Sequence, residues 1–131
     1  MNPIWAHALR HAIQQRFERW FTVTPKPLAL GYAVTYLCNG RCTFCGIWKK
    51  YREMPDLLKK ELSLSQIREI FNYNRAFLSD VREIYVSGGE PFLRKDFGAV
   101  LRIIHATLPK ARIMIATNGF NTEHILDVVK E

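Results

Sequence analysis

"LALGYAVTYL", Leu28 to Leu37, runs without a break into "CNGRCTFC", Cys38 to Cys45. The first stretch is apolar, with aromatic and β-branched residues, and reads as a buried strand. The second holds all three cysteines of the chain. The same grammar returns twice. "REIYVS", Arg82 to Ser87, reads as a strand and ends in "GGEP"; "ARIMIAT", Ala111 to Thr117, reads as a third and ends in "NG".

Helical patterns separate the strands. Ser63 starts one, with Gln66 placed for a capping box and Leu62 and Ile67 for a hydrophobic staple. Its buried face is predicted to be Ile67, Ile70, Phe71, Phe77 and Leu78. A second helix is expected from about Asp96 to Ala106, with Phe97, Val100, Leu101 and Ile104 inward. Asn121 caps a last one holding Ile125, Leu126, Val128 and Val129. Strand–helix units in series imply an α/β fold with a parallel sheet and right-handed crossovers. In such sheets ligands gather beyond the C-terminal strand ends. "CNGRCTFC", "SGGEP" and "TNG" each sit at such an end, which points to a single site.

Residues 1–27 are organised differently. Trp5, Leu9, Ile13 and Phe17 recur at i, i+4 steps, so residues 4–21 read as an amphipathic packing helix, with Trp20 and Phe21 extending the stripe. "TPKP" then ends it, because Pro25 and Pro27 cannot continue a helix. Residues 28–131 form the second unit. Within it, "KKYREMPDLLKKE" looks like a solvated insertion. Length favours a single core domain, and a hydrophobic fraction of 48% is ample for it. Net charge is +7, which suits an anionic partner or a simple solubilising excess. No basic stripe interleaved with aromatics indicates nucleic acid. No secretory leader or membrane-spanning run is evident, and the expected setting is reducing and cytoplasmic.

Three thiols cannot all pair within one chain, and secreted disulfide scaffolds usually carry even, dispersed sets. Clustered cysteines in a reducing setting more often bind metal. Cys38, Cys42 and Cys45, spaced C-x3-C-x2-C, can hold three corners of a cubane iron–sulfur cluster, whereas ordinary electron-transfer clusters take four cysteines. The iron left without a protein ligand could bind something else. Zinc is the competing metal, and its fourth ligand would have to come from His7, His11, His105 or His124, none suitably spaced. His105 reads as a packed core histidine. In "SGGEP", Gly88 and Gly89 allow close backbone approach to a ligand. Glu90 offers a carboxylate for an ammonium group, and Pro91 fixes the turn's exit.

These two motifs together resemble the radical S-adenosylmethionine (SAM) enzymes, which carry C-x3-C-x2-C after the first barrel strand and GGE after the second. The residue before the third cysteine is often aromatic there; here it is Phe44. The resemblance spans about residues 30 to 120. It implies a partial parallel (β/α) barrel of about three βα units preceded by the N-terminal helix. It implies a [4Fe–4S] cluster on Cys38, Cys42 and Cys45, whose unique iron takes the amino and carboxylate groups of SAM. Gly88, Gly89 and Glu90 would contact the SAM ammonium, the backbone near Phe44 would face adenine, and Asn118 would be either a further SAM contact or a turn and helix-entry residue. An electron from a donor such as flavodoxin or ferredoxin would cleave SAM to a 5′-deoxyadenosyl radical that takes hydrogen from a substrate the sequence leaves open. Family barrels have about six such units, so residues 28–131 are expected to form a core truncated after the third and incomplete as a catalyst. The alternative is a noncatalytic iron–sulfur or zinc binding module.

Overall fold

Three short strands share one sheet in the computed structural model, which describes residues 9–10, 12–14, 16 and 24–130. They are β1 (Ala29–Ala33), β2 (Glu83–Ser87) and β3 (Arg112–Ile115), in the order β1-β2-β3. Both pairings are parallel. Ala29 lies opposite Glu83 and Ala33 opposite Ser87, while Glu83 lies opposite Arg112 and Val86 opposite Ile115. The helices are α1 (Ile47–Glu53), α2 (Leu64–Tyr73), α3 (Phe97–Thr107) and α4 (Thr122–Lys130). Sequential parallel order with intervening helices is the arrangement the repeated strand–helix grammar predicts.

Strand alternation decides which face is core. Leu30, Tyr32 and Val34, Ile84 and Val86, and Ile113 and Ile115 join one apolar cluster with Ile67 and Phe71 of α2, Val100 and Ile104 of α3, and Ile125 and Val128 of α4. Ile84 and Val86 are completely buried. The alternate residues Ala29, Gly31, Ala33 and Tyr85 are exposed. The sheet is thus helix-covered on one face and open on the other among the described residues. Phe97 anchors the centre of the core. It is buried and meets the Phe92 ring edge-on, centroids 5.0 Å apart, a favoured aromatic geometry.

The predicted capping box at Ser63 is present. Its side chain accepts from the Gln66 N–H, and its own N–H donates to Gln66 Oε1 at 2.9 Å. Asn121 caps α4, accepting from the His124 N–H through Oδ1. Other expectations need correction. Ile70 and Phe77 are exposed, not inward. The α-helix ends at Tyr73 and the chain turns through a 3₁₀ segment at Phe77–Asp80, so one helical period does not extend across both. Ile103 is buried although the stripe drawn for α3 omitted it. His105 is exposed and is not a core histidine. Leu126 and Val129 are exposed as well.

The stretch read as a solvated insertion is ordered. It forms α1 and a 3₁₀ segment at Pro55–Lys60, with Lys49, Lys50, Arg52, Lys59 and Lys60 exposed. Most of the helix predicted over residues 4–21 lies outside the described residues, including Trp5, Phe17, Trp20 and Phe21. Leu9, Arg10, Ala12, Ile13, Gln14 and Arg16 are helical, and Leu9 and Ile13 are exposed. "TPKP" is irregular, as two prolines require. No helix among the described residues is long and apolar enough to cross a membrane.

Phe97→Ala should lower unfolding stability by roughly 3–5 kcal/mol, the usual cost of emptying a buried aromatic site. A urea titration followed by far-ultraviolet circular dichroism measures it; an unchanged midpoint would place the core elsewhere.

Candidate metal and cofactor site at the strand ends

Past the end of β1 the backbone stays paired with the β2 loop. The Val34 N–H donates to the Ser87 carbonyl at 2.9 Å. The Gly89 N–H donates to Thr35 O and the Glu90 N–H to Leu37 O, both at 2.8 Å. The segment entering the cysteine loop and the "SGGE" segment therefore run side by side. Their separation explains both glycines. A Cβ on Gly88 would collide with the Thr35 carbonyl, and one on Gly89 with the Leu37 carbonyl. Gly88 also has φ +128°, a region side chains rarely adopt. The space a side chain would need at 88 and 89 is thus filled by this chain's own backbone.

Glu90 is the hub of the strand ends. It is buried, at 3% exposure. Its Oε1 accepts from the Thr117 hydroxyl at 2.8 Å and the Phe92 N–H at 3.2 Å; Oε2 accepts from the Asn118 N–H at 2.7 Å. The carboxylate ties the loop after β2 to the loop after β3. Each carboxylate oxygen can accept about two hydrogen bonds, so Oε2 retains room for one more donor. Asn118 continues the chain of contacts. Its Nδ2 donates to Asn39 Oδ1 at 2.8 Å, inside the cysteine loop, and its Oδ1 accepts from the Phe120 N–H.

All three cysteines are free of disulfides; Cys42 is exposed, Cys38 and Cys45 partly so. Gly40 shows how tightly the loop folds. It is buried, and a Cβ placed there would lie 3.5 Å from Cys38 Sγ, 3.7 Å from Asn118 Nδ2 and 3.9 Å from Cys42 Sγ. The Gly40 N–H donates to Cys38 Sγ at 3.4 Å. The Cys45 N–H and the Trp48 indole N–H both donate to the Cys42 carbonyl, at 3.3 and 3.1 Å. Soft thiol donors on one short loop, with an N–H already aimed at a sulfur, fit an iron–sulfur cluster, whose potential responds to such hydrogen bonds. Among the described residues no three His, Cys, Asp or Glu side chains, the three cysteines included, are gathered closely enough to hold a metal ion. Phe44 projects into solvent at 93% exposure, apart from this cluster of contacts.

Three supporting residues escaped the sequence reading. Thr35 is buried, donates its hydroxyl to Glu61 Oε1 at 2.8 Å and accepts from the Leu37 N–H at 3.0 Å. Arg94 donates from Nη1 to the Val34 carbonyl, from Nη2 to the Leu62 carbonyl, and from Nε to Asp96 Oδ1 at 2.7 Å. Burial disfavours the charged guanidinium, but its hydrogen bond and attraction to Asp96 prevail and hold its pKa above the ordinary arginine value. A polar residue within an apolar strand was the one available signal for Thr35. Glu61 and Arg94 carried none, because the Thr35, Tyr36, Val34 and Leu62 groups they bond are distant in the chain. A cavity of about 470 Å³ lies away from these groups, lined by Leu101, His105, Ile113 and Val128 among others.

Comparison with known proteins agrees with the two motifs. A sequence model of the Radical SAM superfamily matches residues 32–131. The chain is similar to the GTP 3′,8-cyclase of Vibrio vulnificus (strain YJ016), with 32% identity over 123 residues, 93% of this chain and 35% of that protein. It is 32% identical over 114 residues to the GTP 3′,8-cyclase of Actinobacillus pleuropneumoniae serotype 5b (strain L20), covering 86% of this chain and 30% of that one. Against the GTP 3′,8-cyclase of Yersinia pestis the identity is 36% over 92 residues, 70% of this chain and 26% of the other. The chain spans about a third or less of the length of these curated relatives.

Gly89→Ala should destabilise the protein by roughly 1–3 kcal/mol, the range for forcing extra atoms into filled space. Gly46→Ala, where nothing lies within 4 Å of the new Cβ, should stay within about 0.5 kcal/mol of the parent. Paired urea titrations compare them; equal midpoints would mean the backbones do not meet as described.

Proposed function

The chain belongs to the radical SAM superfamily, and from that premise we propose that Cys38, Cys42 and Cys45 hold a [4Fe–4S] cluster at which SAM is bound for reductive cleavage. Members of this superfamily are enzymes that use such a cluster together with SAM. The observation that carries the assignment is the joining of the GGE loop and the loop after β3 to the cysteine loop through Glu90, Asn118 and Asn39. When bound, the cluster supplies the single electron that breaks the SAM sulfonium bond, and the resulting radical takes hydrogen from substrate.

This chain's residues hold and orient. The three thiolates would hold the cluster, and the chain has no fourth cysteine to complete its ligand set. The remaining acceptor position on Glu90 Oε2 suits the SAM ammonium, a charge-assisted pairing. Gly88 and Gly89 act by keeping the GGE backbone flush against the cysteine-loop entry, and so shape the ammonium's surroundings indirectly. The backbone beside Phe44 lies on the adenine side. Asn118, already bonded to Asn39, closes the third side of the pocket. An external low-potential reductant of the flavodoxin or ferredoxin class supplies the electron, in a reducing, cytoplasmic setting.

We assign residues 28–131 to the SAM core and 1–27 to a preceding helix and linker. The sheet is read as part of a (β/α) barrel, its exposed Ala29, Gly31, Ala33 and Tyr85 face being the lumen. One-sided helix cover supports a barrel over a doubly wound sheet, which covers both faces. For substrate, the relatives' name supports a purine nucleoside triphosphate, and a net charge of +7 suits a polyanion. GTP is therefore the first compound to assay.

Anaerobic reconstitution should load about four irons per chain, as one cubane requires. Replacing Cys38, Cys42 or Cys45 by alanine should abolish loading. Reduced, loaded protein should bind SAM with a change in its electron paramagnetic resonance spectrum. Tight stoichiometric zinc without iron uptake would overturn the assignment. Glu90→Ala should leave iron loading intact and weaken SAM binding by roughly 1.5–3 kcal/mol, the worth of a hydrogen bond to a charged group. Isothermal titration on equally loaded proteins measures this, and equal affinities would remove Glu90 from the SAM site.

A further inference from the structure

The peptide that delivers the first cysteine is held from three directions. Glu61 Oε1 accepts from the Tyr36 N–H at 2.6 Å and from the Thr35 hydroxyl at 2.8 Å. Thr35 Oγ1 in turn accepts from the Leu37 N–H at 3.0 Å. The Leu37 carbonyl accepts from the Glu90 N–H. Both peptide groups flanking Leu37 are therefore committed one residue before Cys38. The Arg94 guanidinium closes the arrangement. It spans the Val34 carbonyl at 2.8 Å and the Leu62 carbonyl at 2.7 Å, and so fastens the 61–62 segment to the 34–36 segment on a second side.

Glu61 stands at the end of a lysine-rich stretch, directly after exposed Lys59 and Lys60, yet it is turned inward and partly buried. An acid in that context would ordinarily pair with a neighbouring lysine. Asp56 does so, with Lys59 at 2.8 Å. Glu61 instead spends one oxygen on two donors from the thiol-loop entry. A hydrogen-bonded path of two steps thus joins its carboxylate to the Leu37 amide.

We infer that Glu61 is a positioning residue for the thiolate loop, acting through Thr35 and the Tyr36 amide to fix the direction in which Cys38 leaves the sheet. This deepens the reading of Cys38, Cys42 and Cys45 as cluster ligands and rests on it. Glu61 touches neither cluster nor SAM. Its effect is on how the first thiolate is presented, and hence on cluster assembly and on the spectrum of the cluster formed.

The experiment uses this chain with Glu61→Ala, Glu61→Gln, Thr35→Val and Thr35→Ser. Amide hydrogen exchange is first followed in the metal-free protein. In Glu61→Ala the Tyr36 amide, and in Thr35→Val the Leu37 amide, should exchange about tenfold faster, the scale of one lost hydrogen bond. The amides of α3 should keep their parent rates. Thr35→Ser, which retains the hydroxyl, and Glu61→Gln, which retains an acceptor oxygen, should stay within about threefold of the parent. After anaerobic loading, the Ala and Val variants should bind less iron or give a shifted electron paramagnetic resonance spectrum, with the Ser and Gln variants restored. Unchanged exchange at Tyr36 and Leu37, or equal acceleration throughout α3, overturns the inference, since the second is what a merely stabilising residue would produce. If Glu61→Ala does not fold, Thr35→Val decides the matter, because it is nearly isosteric and removes only the hydroxyl. Absence of iron uptake by the parent chain would overturn the cluster assignment, and the exchange rates would still decide the role of Glu61.

Discussion

The Leu37 carbonyl occupies the space where a side chain at position 89 would begin, and the strand-end arrangement depends on that contact. Beyond Ala33 and Ser87 the two strands no longer count as a regular ladder, yet three further hydrogen bonds keep their backbones together to Leu37 and Glu90. Glycine at 88 and 89 is the condition for this approach. With it, the first thiol and the Glu90 carboxylate emerge from adjacent backbones. Without it, one segment must move away, and the geometry of both motifs changes together. The two motifs are thus one structural unit, although Cys38 and Glu90 stand far apart in sequence.

Buried carboxylates at such ends are costly unless hydrogen-bonded. Glu90 meets that requirement through Thr117, Phe92 and Asn118, and no buried side-chain polar atom among the described residues lacks a partner. The same bonds that satisfy Glu90 also hold the loop after β3 against the loop after β2. Satisfaction of the buried carboxylate and the hold between the two loops therefore rest on one side chain. Lys49, Lys50, Arg52, Lys59 and Lys60 stay on the surface, where their long stems keep the charges hydrated, whereas the Arg94 guanidinium is turned inward onto the Val34 and Leu62 carbonyls.

The sheet carries its stability on one side. Ile84, Val86, Phe97, Val100 and Ile104 are almost completely buried, while Tyr85 on the opposite face is 48% exposed and bonds only laterally, its hydroxyl donating to Glu83 at 2.8 Å. Parallel sheets usually bury both faces, and edge strands present unpaired backbone groups. A lumen facing inward would reconcile this exposed face with the fold class. Catalysis at the rim of such a lumen would use the C-terminal strand ends, where the loops already converge.

Sequence by itself determined the local structure: strands from apolar β-rich runs, α2 from the Ser63–Gln66 box, α4 from Asn121, and the cysteine loop from its spacing. Each of these rests on residues within a few positions of one another, where backbone geometry leaves little choice. Tertiary structure decided what periodicity cannot. Ile70 and Phe77 share the apolar character of Ile67 and Phe71 but meet no covering element among the described residues. His105 is exposed on an apolar helix. The spaces at Gly88 and Gly89 were legible as close approach, but the approaching group is Thr35 and Leu37, not a ligand. Thr35, Glu61, Arg94 and Asn39 entered the site through hydrogen bonds spanning 25 to 79 residues. A hydrogen bond specifies only the distance and angle between two groups, and leaves no trace in the residues adjacent to either. Such pairs exist only once the strands have set their register.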